Sequence, residues 1–191
     1  MYTIRCIILG LVHMMIDRYA MPTDGPVKKK GKIKLEDELK QKIYVDKKGI
    51  FMPIDNIRMM LIGNKMRQGA ANILGSQIET KKGTAYKNFC NACVWVLGTE
   101  DPLKVYVKPD RKTYDTYDER TFPLKDGGRK ITRRPLIAPP WSLEFDIQVT
   151  EDLYDESKIR EFFEVAGRRC GCGAYGPTFG RFMIDKWEVQ K

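Results

Sequence analysis

Histidine is almost absent: His13 is the only one in 191 residues. A ribonuclease built on two histidines, one acting as base and one as acid, is thereby excluded. Long apolar runs are missing as well. The opening MYTIRCIILGLVHMMIDRY is interrupted by Arg5, His13 and Asp17, and no small-residue cleavage site follows, so it reads as a first strand and not as a signal peptide or membrane span. Cysteines number five, an odd count in a chain large enough to build a core without staples. A disulfide framework is not expected, and a reducing cytoplasm is. No glycine elbow presents a serine nucleophile, no Gly-Lys-Ser/Thr loop cradles phosphate, and no cofactor is implied.

What is present is charge. Lys and Arg total 34 against 25 acids, a net charge of +9, which makes a polyanion the first partner to consider, nucleic acid ahead of an acidic membrane. The hydrophobic share of 42% is that of a folded chain, and the length fits a single domain over residues 1–191.

Residues 2–9 read as a buried strand. Residues 20–34 turn to Pro, Gly and Lys, a flexible basic insertion that is either a phosphate-binding arm, with Lys28, Lys29 and Lys30 as its contacts, or a solvated loop. Asp46-Lys-Lys-Gly49 signals a hairpin between residues 43–45 and 50–52. Pro53 then opens a helix reaching about residue 66, with Ile54, Ile57 and Leu61 inward and Arg58 and Lys65 together on one side. Residues 67–88 show no clean period and contain several glycines, so a flexible loop is expected there. Two short strands follow at 94–97 and 103–107, and residues 108–140 read as a loop or an extra hairpin.

The last third is the most legible. Leu143, Phe145, Ile147 and Val149 alternate with polar residues as a half-buried strand does. Asp155 suits a helix cap, Ile159, Phe162, Phe163 and Ala166 recur at helical spacing up to Gly167, and a strand closes the chain at 181–189. The order strand-helix-strand, twice, predicts an α+β fold: a ferredoxin-like, RRM-like split βαβ core with long insertions.

Between that helix and the last strand runs AGRRCGCGAYGPTFGR, residues 166–181. Its glycines allow close backbone approach, Arg168, Arg169 and Arg181 supply charge, and Tyr175 and Phe179 supply stacking faces, the ingredients of a loop that holds a nucleic-acid strand. The alternative is purely structural: a glycine stop, arginines at the last carbonyls and aromatics in the core.

This loop, the Pro53-Ile-Asp-Asn-Ile-Arg58 helix entry and the element order resemble the RAMP superfamily, which includes backbone and guide-processing subunits of CRISPR effector complexes. Residues 44–61 and 134–187, with Trp141-Ser-Leu-Glu-Phe and Ala166-Gly-Arg-Arg, look more closely like phage-encoded proteins of that kind, although Leu11-Val-His-Met-Met lacks the proline those proteins usually carry. The resemblance implies a modified RNA-recognition fold that binds single-stranded nucleic acid and self-associates along it. A protein that docks on, or mimics, a CRISPR or phage assembly is a third reading. In some RAMP backbone subunits a loop acid promotes metal-dependent RNA cleavage, so Asp24, with Asp17 nearby, and His13 are the candidate catalytic residues of the alternative, a metal-assisted ribonuclease. Cys90, Cys93, Cys170 and Cys172 add up to four thiolates, but their spacing is poor for zinc.

Overall fold

The computed structural model describes residues 1–18, 34–123, 127–151 and 153–190. In chain order these give β1 (Tyr2–Gly10), β2 (Met14–Met15), α1 (Leu35–Gln41), β3 (Phe51–Pro53), α2 (Ile54–Ile62), α3 (Ala70–Ile78), α4 (Thr80–Cys93), β4 (Val94–Gly98) and β5 (Lys104–Lys108). They continue with β6 (Thr116–Pro123), β7 (Arg129–Ile137), β8 (Ser142–Val149), α5 (Glu156–Val165) and β9 (Phe182–Gln190). The protein is mixed α/β, and among the described residues all strand pairings are antiparallel.

Strict alternation puts β8 at the centre of the main sheet. One of its edges pairs with β1 from Tyr2↔Val149 to Leu9↔Ser142, and the other is shared by β4 and β5. β9 lies on the far side of β1, and β3 joins through β5, so the strands run β4–β8–β1–β9 across the sheet. Ile4, Cys6 and Ile8 of β1 and Leu143, Phe145, Ile147 and Val149 of β8 are wholly buried on one face. Ile159, Phe162 and Phe163 of α5 are wholly buried too, and the Phe163 ring lies between Phe145 and Trp187 with centroids 5.8 and 5.7 Å away. Each such side chain contributes about 1.5–3 kcal/mol by leaving water. Asp155 caps α5 by accepting the Lys158 backbone N–H at 3.0 Å.

The opposite face of the sheet is mixed, with Ile7, Leu9 and Trp95 beside an ion-paired patch. Arg5 donates to both oxygens of Asp146, at 2.5 and 3.0 Å, and to Glu144 at 3.3 Å. A second sheet, ordered β2–β7–β6, is formed by the β6–β7 hairpin with the short β2 along its edge.

Two expectations change. Residues 67–88 are helical: α3 and most of α4 occupy them. Glycines that read as flexibility instead let two helices touch, because a Cβ on Gly75 would stand 2.5 Å from the Gly83 Cα. The helix expected to reach residue 66 stops at Ile62, where Gly63 adopts φ 71°. Of the alternatives for residues 108–140, the hairpin is the one observed, as β6–β7. The Asp46 turn closes through the single bridge Val45↔Ile50, and the chain beyond it pairs with β5. Lys28, Lys29, Lys30 and Asp24 lie outside the described residues. No described helix is long and apolar enough to cross a membrane.

Candidate nucleic-acid interface

α5 ends in one wider turn, Ala166–Cys170, and the glycine loop begins. Its backbone is bound inward: Cys172 N–H donates to Gly180 at 2.8 Å, Ala174 N–H to Met15 at 2.9 Å and Gly180 N–H to His13 at 2.8 Å. Gly180 has φ 73°, and a Cβ there would stand 1.8 Å from the Cys172 carbonyl oxygen. The glycines therefore press the loop against its own chain and fix where its side chains stand.

Those side chains meet the hairpin. Tyr175, in the left-handed region at φ 55° and 37% exposed, has the Arg120 guanidinium 4.8 Å from its ring centroid and that of Arg134 at 4.7 Å. Arg120 also lies 5.5 Å from the Phe179 centroid, and Arg134 lies 5.7 Å from that of Phe122. Alternation on β6 puts Asp118, Arg120 and Phe122 on one side of the hairpin. Arg120 Nε donates to Asp118 at 2.7 Å and Arg134 Nε to Asp17 at 2.5 Å. Arg134 Nη1 is buried without a hydrogen-bond partner. The result is a ladder of guanidinium and ring planes that stacks favourably, with the Arg120 side chain 35% exposed and that of Arg134 12% exposed.

The other sequence candidates are dispersed. Arg169 donates to the side-chain oxygen of Gln77 on α3. Arg168 lines a groove with Leu11, Arg160, Glu164 and Met183, and Arg181 is exposed. Arg58 stacks on Trp95, 4.5 Å from its centroid, and donates to the Asn91 carbonyl at 3.1 Å. Its side of α2 is not the one that approaches the glycine loop. Lys65 is exposed in the loop after α2, beside Arg67. His13 is half-buried, and its backbone carbonyl supports Gly180.

A cleft of about 310 Å³ opens between α2 and the glycine loop. Asn56, Met59 and Gly63 line it at i, i+3 and i+7 of the α2 register, facing Asp17 and Tyr175. Met15 and Met52 are fully buried at its base, whereas Met59 and Met66 are 40% and 97% exposed. Arg67 reaches across from the cleft and donates to the Gly171 carbonyl at 3.2 Å. Sequence reasoning missed this cleft and the ladder's arginines, because their residues come from five separated stretches.

Cys90 and Cys93 lie on α4, whereas Cys170 and Cys172 flank the start of the glycine loop; all four are buried and free. Burial pushes the Cys172 thiol up to about 12 and the Cys90 thiol far above its usual range, so both stay protonated. Burial also raises Cys170, against the opposing charge of Arg67. Among the described residues no three His, Cys, Asp or Glu side chains gather as a metal site. Compared with known proteins, the chain matches no family model and no curated protein.

Proposed function

We propose that this chain is a non-enzymatic, single-stranded nucleic-acid-binding protein, built on a ferredoxin-like core of the RAMP kind, with the glycine loop and the β6–β7 hairpin as its strand-facing surface. The observation that carries the reading is the ladder of Arg120, Tyr175 and Arg134, extended by Phe179 and Phe122. Guanidinium groups neutralise phosphates, and exposed ring and guanidinium planes stack on bases that a duplex would hide. The β4–β8–β1–β9 order, all antiparallel, supports the ferredoxin-like part of the reading. The other face of the sheet is a poorer platform for phosphates, because Arg5 is closed by two acids there, although Trp95 stays 43% exposed beside Arg58. Assembly of copies along the strand, in the host cytoplasm if the chain is phage-encoded, belongs to the same proposal.

Fluorescence anisotropy with labelled single-stranded RNA, single-stranded DNA and duplex at several salt concentrations tests it. Single strands bind better than duplex, and log affinity falls with log salt by about 0.7 per phosphate neutralised. Salt-independent binding, or preference for duplex, overturns the reading. Incubation with Mg²⁺ leaves the labelled RNA intact; cleavage abolished by Asp17→Asn or Asp24→Asn would make the protein a ribonuclease.

A further inference from the structure

The cleft between α2 and the glycine loop has a chemistry of its own. Its base and mouth are methionine: Met15 and Met52 below, Met59 and Met66 above. Its rim is polar, with Asp17 and Arg67 charged, and the side-chain amide of Asn56 has no hydrogen-bond partner among the described residues. Polarisable sulfur against flat surfaces, ringed by a few donors and acceptors, suits a planar heteroaromatic ring whose faces are apolar and whose edges hydrogen-bond. The volume of about 310 Å³ lies at the small end of ligand sites, enough for one base with its sugar. Met66, 97% exposed at the mouth, gains cover when such a ring is seated.

Position narrows the class. Tyr175 lines the cleft and is also the centre of the arginine ladder, and Asp17 lines the cleft while pairing with Arg134. A strand whose phosphates follow the ladder therefore has a base within reach of the opening. We infer that this cleft receives one unpaired nucleobase of the bound strand. The inference rests on the strand-binding reading above and adds a site to it. Arg67, tied to Gly171 by one of its donors, has the others available for the sugar-phosphate beside that base.

The test uses the full chain with Met59→Trp, which fills the mouth from an exposed position, and Asn56→Leu, which removes the amide but keeps the space. Probes are an adenine strand of about twelve nucleotides carrying one 2-aminopurine, the fully abasic strand of equal length, and free 2-aminopurine riboside. Met59→Trp lowers affinity for the adenine strand about tenfold and leaves the abasic strand unaffected, since base seating and not phosphate contact is lost. Asn56→Leu lowers it about threefold, and 2-aminopurine emission changes on binding wild type but not Met59→Trp. A melting curve for each variant confirms that it is folded. If wild type binds neither strand, the strand-binding reading itself fails. A wild-type preference for the adenine strand that both variants keep overturns the cleft while leaving that reading in place, whereas both strands binding equally well removes the cleft and the base stacking of that reading together. Riboside binding as tight as the strand's overturns the assignment to a strand and makes this a nucleoside site.

Discussion

Cations on the mixed face of the main sheet and cations on the hairpin meet different fates. Arg5 spends three hydrogen bonds on Asp146 and Glu144, and near the Asp46 turn Lys48, Lys104 and Lys108 interlock with Asp46, Glu100 and Asp110. On the hairpin, Arg133 is held by Glu119 and Glu38, Arg120 and Arg134 have one acid each and otherwise face rings, and Arg129 and Lys130 have no ion pair among the described residues. An anion approaching the first surface must displace an acid that already sits there. One approaching the second meets Arg129 and Lys130 with no acid beside them. Under the proposed reading, net charge favours a polyanion as partner, and the pairing pattern favours one surface over the other.

The largest expected effect comes from reversing that difference. Arg129→Ala combined with Lys130→Ala, which removes the hairpin cations that no described acid holds, lowers single-strand affinity about tenfold and shallows the salt slope by roughly one to one and a half, two phosphates' worth. Arg5→Ala leaves affinity within about twofold, because its charge is already neutralised. Anisotropy titrations of the two variants at matched salt decide it: an Arg5 effect larger than the hairpin effect would move the interface to the sheet.

A second effect concerns the scaffold under the ladder. Gly180→Ala forces a Cβ toward the Cys172 carbonyl oxygen at a φ of 73°, which should cost about 2–3 kcal/mol of stability in urea unfolding. Binding weakens with it, because Phe179 and Tyr175 hang on the same loop. Unchanged unfolding would mean that the loop yields freely and does not hold the ladder in place.

How much of this was legible follows from sequence distance. β8 and α5 announce themselves because each carries its own period, β1 reads as an apolar run and β9 as the closing strand, and Asp155 caps α5 as its position suggests. α3 and α4 are hidden because Gly75 and Gly83 look like breakers until the two helices are seen to cross at them. α1 is also hidden, since only Leu39 of its seven residues is buried and one apolar position makes no period. Tyr175 and Phe179 are legible because the glycine loop is one continuous motif. Arg120 and Arg134 are not, because charges of both signs mix through residues 108–140; the one available signal was the period-two placement of Asp118, Arg120 and Phe122. The methionines of the cleft have no spacing signature at all, since they converge from β2, β3, α2 and the loop that follows it.

The smallest effect tests the saturated side of the comparison. The Asp46 carboxylate accepts from Lys104 at 2.8 Å, from the Tyr106 hydroxyl at 2.9 Å and from the Lys48 and Gly49 backbone N–H groups at 3.0 and 3.3 Å. The Lys104 hydrogen bond is the main reason that its pKa lies well below the ordinary value of 3.8. In the unfolded chain the same carboxyl takes up a proton near that ordinary value, so the folded state gains from Asp46 fully above it and loses the gain as pH falls toward the depressed pKa. Asp46→Asn should therefore melt a few degrees below wild type at pH 7, and the gap should close as pH drops below about 4. The turn is exposed, so the gap is small. The same substitution leaves Lys104 with Asp101 alone, 3.5 Å away, and single-strand affinity at low salt should rise by no more than about twofold. Melting curves from pH 7 to pH 2, with anisotropy at low salt, measure both. A gap that persists undiminished at pH 2 would show that Asp46 acts through its turn geometry and not its charge. A large rise in affinity would show that the saturated lysines were held back from the strand only by their acids.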